Sequence, residues 1–142
     1  MLDQARPVAL LIARITLGVI FLVHGYHKFA TMGIAGTTKF FESVGIPMAG
    51  LAAPAVAALE VVGGLALILG AGLPIVGTLL AIDMLGAILY VHGGNGFGAE
   101  GGGYEFVMAL GAASLAIGFT GGGALALDNL IGRRRRAIIA PA

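Results

Sequence analysis

Four apolar runs, separated by short glycine- and proline-bearing breaks, set the pattern of the chain. They cover about residues 8–29, 51–71, 74–92 and 104–119. A hydrocarbon core about 30 Å thick takes roughly 20 helical residues to cross. The pattern therefore predicts four membrane spans. Between the first two, "TTKFFESVG" reads as a short interfacial helix. Thr37 or Thr38 stands near its start, Phe40 and Phe41 supply an apolar face, and Gly45 and Pro47 end it. "GAGLP" is a tight turn and "GGNGFGAEGGG" a flexible loop. "TGGGALALDNLIGRRRR" is a glycine-rich turn that leads into a second short helix and a basic tail over 129–142. The expected fold is all-α: one domain over 1–142, an integral membrane antiparallel four-helix bundle with an interfacial helix between spans one and two.

Composition agrees with this pattern. Hydrophobic residues make up 58% of the 142 and charged residues 11%, where a soluble domain carries about 25% charged residues. So few charges cannot coat a water-facing surface, and they exclude a nucleic-acid-binding face. The lipid bilayer is the first partner. The chain has no cysteine, which excludes disulfides, thiol relays and thiolate metal sites within it. The first apolar run is longer than a signal-peptide core and Arg14 interrupts it early, so it reads as a retained span. Four of the eight Lys and Arg form the run Arg133 to Arg136, and Arg6 precedes the first span. By the positive-inside rule both termini are cytoplasmic.

Charge inside the spans is the next feature. "RITLGVIFLVHGYHKF", residues 14–29, places Arg14, His24, His27 and Lys28 in one membrane helix. At about 100° per residue, Arg14, Gly18, Phe21, Gly25 and Lys28 share one narrow stripe. His24 sits at its edge and His27 lies further round. Gly18 and Gly25, seven apart, form a seam for close helix packing. Three acids stand at membrane depth: Glu60, Asp83 and, near the outer end of the last span, Glu105. Depth along the helices pairs Arg14 with Asp83 first and Lys28 with Glu105, and leaves His24 to contact Glu60. Two readings stay open. Arg14, His24, Lys28, Glu60, Asp83 and Glu105 are paired charges that fix helix register, or they line a polar cavity or proton path.

Other signals carry less. Gly96 to Gly101 fits G-x-G-x-x-G, but no strand precedes it and no dinucleotide-binding unit surrounds it. His24, His27 and His92, with Glu105, are the residues a metal site would need; isolated histidines near an interface are seldom ligands, and no metal is expected. Ser43 and Ser114 lack a nucleophile's context, so no catalytic residue is assigned.

These residues also spell a family pattern. "R-x-x-L-G-x-x-F-x-x-H-G-x-x-K" runs from Arg14 to Lys28, and "F-F-x-x-x-G-I-P" from Phe40. "E-x-x-G-G-x-x-L-x-x-G" runs from Glu60 to Gly70, "GGYE" ends at Glu105, and "LALD" ends at Asp128. In order and spacing they resemble the DoxX family over nearly the whole chain. Arg14, Gly18, Phe21, Gly25, Lys28, Glu60, Gly63, Gly64, Glu105 and Asp128 match its motifs; Asp83 fits them less clearly. The resemblance implies a four-helix protein of the bacterial inner membrane. It further implies a subunit or anchor of a redox complex, in quinone-linked thiosulfate oxidation or oxidative-stress defence, with a quinone as the candidate cofactor and soluble redox proteins as partners. A non-catalytic scaffold and a small-molecule or lipid binding or transport protein are the alternatives. The abundant glycines also leave room for a homo-oligomer.

Overall fold

The computed structural model describes residues 2–132. The Arg133 to Arg136 run, and with it most of the expected basic tail, lies outside the described residues. Helix α1 covers Leu2–Tyr26, α2 Gly33–Ser43, α3 Ala49–Leu69, α4 Leu73–Ala87 and α5 Glu105–Thr120. No strand occurs among the described residues. α1 runs on into a π-helical segment, His27–Thr31, and α4 into another, Ile88–His92. A last helical stretch covers residues 127–132.

Among the described residues, three continuous helical stretches are long and apolar enough to cross a membrane: Asp3–Thr31, Ala49–Leu69 and Leu73–Asn95. α5 is apolar but shorter, at 16 residues. Outward-facing Ile12, Val23, Val62, Ile75, Ile82, Leu89 and Phe119 are exposed. Such an apolar surface is suited to lipid, not water.

Glycine lets the helices approach. A Cβ on Gly18 would lie 2.6 Å from the Gly64 carbonyl oxygen, and one on Gly64 would lie 2.6 Å from that of Gly18. Two turns further, a Cβ on Gly25 would lie 2.7 Å from the Val61 amide nitrogen and 2.9 Å from the Ala57 oxygen. The predicted seam on α1 thus packs directly on the backbone of α3. α4 and α5 meet in the same manner, Gly77 against Ser114 and Gly118. Between these pairs lies a core of Leu17, Phe21, Leu67, Leu80, Met84, Leu110 and Ile117.

The short helix α2 begins earlier than the sequence pattern placed it, at Gly33 and not near Thr37. Thr37 is fully buried inside it, and its hydroxyl donates to the carbonyls of Gly33 (3.0 Å) and Lys28 (3.1 Å). The second bond ties α2 to the π-helical segment. Phe41 then seats α2 on Ala49 and Ala53 of α3.

The loop over 93–104 is not the flexible linker expected from its glycines. Tyr104 and Glu105 amides donate to the carbonyls of Gly96 (3.1 Å) and Phe97 (2.9 Å), and the Gly103 amide to Gly98 (3.0 Å). The rings of Phe97 and Tyr104 meet edge to face at 5.5 Å. The glycines serve tight turns that fold the loop back on itself.

Candidate functional site

The intramembrane polar residues separate into two places at opposite ends of the bundle. At one end Arg14 is buried, with 1% of its surface exposed, and among the described residues it meets no carboxylate. Its guanidinium donates instead to carbonyls: Nε to Gly122 (2.7 Å), Nη1 to Leu67 (3.0 Å) and Ile68, and Nη2 to Ala124 (3.0 Å). Leu67 and Ile68 lie in the last turn of α3, where the α-helical ladder runs out and the carbonyls carry the negative end of the helix dipole. Arg14 therefore caps α3 and ties the 121–124 segment to it. The expected Arg14–Asp83 pair does not form, because these carbonyls satisfy the guanidinium more closely.

Asp128 completes that end. Its carboxylate accepts from the amides of Gly72 (2.8 Å) and Leu73 (2.9 Å), the first free donors of α4. The α3–α4 turn passes through Gly70 and Gly72, with φ of 71° and 60°, a conformation that favours glycine. Arg14 and Asp128 thus clamp one turn from its two sides.

At the other end Lys28 Nζ lies 2.6 Å from Glu60 Oε2, with the two side chains 19% and 5% exposed. The expected Lys28–Glu105 pair is absent. Glu105 Oε2 accepts from the Ala99 amide (3.0 Å) and fastens the loop. Nor does His24 take Glu60, whose Oε2 is held by Lys28; among the described residues His24 makes no hydrogen bond.

A cavity of about 660 Å³ opens beside the Lys28–Glu60 pair. Its polar wall is His24 from the end of α1, Lys28 from the first π-helical segment, Glu60 from α3, Asp83 from α4 and His92 from the second π-helical segment. Asp83 Oδ2 is the one buried side-chain atom without a hydrogen-bond partner among the described residues. Phe21, Met84, Val107 and Leu110 form a buried apolar floor, and the exposed rings of Phe40, Tyr90 and Phe106 stand at the rim. Lys28 and His92 both sit in π-helical segments, which are rare and concentrate at functional sites. The His92 Nδ1 lies 2.8 Å from the Gly102 carbonyl oxygen, so in the neutral ring it carries the proton and leaves Nε2 as an acceptor.

Of the six residues singled out in the sequence, His24, Lys28, Glu60 and Asp83 line this cavity, while Arg14 and Glu105 do not. His92 and Tyr90 were not among them. Their signal was faint, a histidine and a tyrosine two apart at the end of an apolar run. Among the described residues no three His, Asp or Glu side chains come together as a metal-ligand group.

The profile of one family, DoxX, matches residues 9–93, a stretch that contains all five polar residues of the cavity wall. The chain belongs to the DoxX family. Full-length relatives agree. "Putative oxidoreductase CatD" of Bacillus subtilis is 35% identical over 130 residues, 92% of each chain. "Inner membrane protein YphA" of Escherichia coli is 33% identical over 130 residues, 88% of this chain and 91% of its own. An uncharacterized protein of Haemophilus influenzae is 33% identical over 131 residues, 90% of this chain and 94% of its own. No solved structure matches the chain. In this DoxX protein the motif residues divide by role: Arg14 and Asp128 hold the turn at one end, Gly18, Gly25 and Gly64 bring α1 onto α3, and Lys28 and Glu60 face the cavity.

Proposed function

We propose that this DoxX protein is a four-helix subunit of a bacterial inner-membrane redox complex, and that its cavity takes the head of a quinone. The observation that carries this reading is the juxtaposition of the buried Lys28–Glu60 pair with His24, Asp83 and His92 on the wall of an otherwise apolar cavity. Small-molecule sites combine these properties: a volume of about 300–1,000 Å³, apolar walls and a few convergent polar groups. Intramembrane charges that face such a space mark ligand or proton paths.

A quinone, when bound, supplies two-electron, two-proton carrier chemistry. This chain's residues then bind, orient and handle protons. Lys28 has donors beyond the one given to Glu60 and orients a ring oxygen. Asp83 and His92 Nε2 accept protons at the cavity wall. Phe40, Tyr90 and Phe106 would offer aromatic faces to the ring or its tail at the rim. With no cysteine in the chain, thiol chemistry belongs to a soluble partner. The oxidoreductase named in the Bacillus subtilis relative supports the redox reading, and the inner-membrane protein of Escherichia coli supports the location. Arg6 and the Arg133 to Arg136 run support, by the positive-inside rule, a topology with both termini cytoplasmic.

A second reading, a lipid or small-molecule binding protein without electron transfer, draws on the same apolar wall. The two separate in one experiment. The purified protein in lipid nanodiscs is titrated with a short-tailed benzoquinone, then assayed for quinone-dependent turnover with membrane-associated partners that co-purify. The redox reading expects saturable binding and a turnover lost in Glu60→Gln and His24→Ala. Binding without turnover under any donor supports the second reading, and no saturable binding overturns both.

A further inference from the structure

The loop over 93–104 roofs the cavity at the end of the bundle, through Ala99, Gly102 and Gly103. Two bonds pin that roof. The Ala99 amide donates to Glu105 Oε2 (3.0 Å), and His92 Nδ1 donates to the Gly102 carbonyl (2.8 Å). Between α3 and α4 the wall is broken. These helices touch at Gly63, where a Cβ would lie 3.1 Å from the Leu80 side chain. On the roof side of that contact, Ala52 and Ala55 of α3 and Ile82 and Gly86 of α4 line the cavity, and Leu79 stands beside the contact itself. Ala55, Leu79 (44%) and Ile82 (60%) are also exposed, so one rank of residues belongs both to the cavity wall and to the outer apolar face. A Cβ on Gly86 would meet nothing within 4 Å. The gap lies deep. Leu79 and Ile82 stand roughly 9 and 14 Å along α4 from its first residue, Leu73, inside a hydrocarbon layer about 30 Å thick. The cavity is thus roofed at its outer end and open toward lipid.

We propose that this gap is a lateral port: ligand enters from the bilayer between α3 and α4, with its head toward the Lys28–Glu60 pair and its apolar tail lying in the port between Ala55 and Gly86. The proposal rests on the cavity being a ligand site, as argued above, and adds the route and the substrate class. That class is the tailed amphiphile dissolved in the membrane. A water-borne ion meets the roof instead, so an ionic substrate is handled by a partner. Small residues on both sides of the port, Ala52 and Ala55 facing Gly86, leave the width that a hydrocarbon chain needs. Lipid tails are as apolar as the port, so the port places the tail without tightening its binding, and affinity comes from the head. A test must therefore read where the tail lies.

The chain has no tryptophan, so a single introduced indole reports on its own surroundings. Three full-length variants in nanodiscs serve: Leu79→Trp at the port, Leu10→Trp in the apolar groove between α1 and α5, and Leu115→Trp on the exposed face of α5. Each is titrated with a decyl-benzoquinone brominated near the tail end and with its unbrominated twin, and the difference gives quenching by the tail. Leu79→Trp is expected to show saturable quenching, and the other two only the linear rise that free lipid solution gives. Ile82→Trp takes the place of Leu79→Trp should that variant fail to fold. Saturable quenching in Leu10→Trp without it at the port overturns the inference. So does a linear rise in all three while a tailless benzoquinone still binds saturably; both results leave the cavity reading standing. Failure of tailed and tailless probes alike to bind overturns the cavity reading itself. Gly86→Phe adds a second measurement. Filling the port should weaken the decyl probe by about five- to a hundredfold and leave the tailless one within about threefold of wild type. An equal effect on both probes, in a variant that unfolds at the wild-type temperature, overturns the port.

Discussion

Arg14 is the residue on which the structural account is most exposed, because a buried arginine without a carboxylate partner invites a functional reading. Replacing it with Met removes the guanidinium from four carbonyls in two chain segments. The Leu67 oxygen keeps a second donor in the Gly70 amide at 3.1 Å. The cost therefore falls on the oxygens of Ile68, Gly122 and Ala124. An unpartnered buried acceptor costs roughly 1–3 kcal/mol, and such terms do not add fully, so Arg14→Met should lose about 3–6 kcal/mol. Arg14→Lys keeps the charge but not the planar fork that reaches both segments, and should fall in between. Thermal unfolding in detergent, with proteolysis of the 121–132 segment, reads both. If Arg14→Met unfolds within a few degrees of wild type and instead loses quinone binding, the capping role assigned to Arg14 is wrong.

The ion pair behaves differently from the cap. Lys28→Met leaves the Glu60 carboxylate buried and unpaired, at a cost of about 3–5 kcal/mol, whereas Lys28→Met with Glu60→Met should regain most of that stability; unfolding of the three proteins in parallel gives the cycle. The double variant should still fail to bind quinone. Asp128→Ala exposes two first-turn donors of α4 and should cost about 1–2 kcal/mol, with Asp128→Asn retaining over half, read by the unfolding midpoint. Gly64→Ala forces α1 and α3 apart where a Cβ would lie 2.6 Å from the Gly18 oxygen, for a loss of about 1–3 kcal/mol, whereas Gly50→Ala, with open space at its Cβ, should be neutral or stabilising.

Helical periodicity made the elements and the α1 seam legible, because apolar runs and glycine spacing are local properties. The stripe of Arg14, Gly18, Phe21, Gly25 and Lys28 meets α3 along its glycines, as spacing suggested. The partners of the charges were not legible. Matching residues by depth assumes that charges seek charges, and it overlooks the free carbonyls at a helix end. Those carbonyls carry no sequence signature, yet they took Arg14. The same omission misplaced Lys28 and Glu105, since Glu105 could satisfy itself on an Ala99 amide a few residues away. The two π-helical segments that put Lys28 and His92 on the cavity wall have no recognisable sequence pattern either. Glycine density in the 93–104 stretch suggested mobility, where its positive-φ turns in fact allow a hydrogen-bonded loop.

The central claim is that ligand enters between α1, α3, α4 and α5 at the Lys28–Glu60 end. A rival space exists, an apolar groove of about 440 Å³ between α1 and α5, lined by Leu10, Leu17, Ala113 and Thr120 among others. Photolabelling the nanodisc protein with a diazirine-tailed quinone and mapping the modified peptides distinguishes them. The account predicts labels on Phe40–Phe41, Ile82–His92 and Phe106–Leu110, competed by unlabelled quinone and absent in the Lys28→Met, Glu60→Met protein. Saturable labels confined to residues 10–20 and 113–120, unchanged in that double variant, would contradict it.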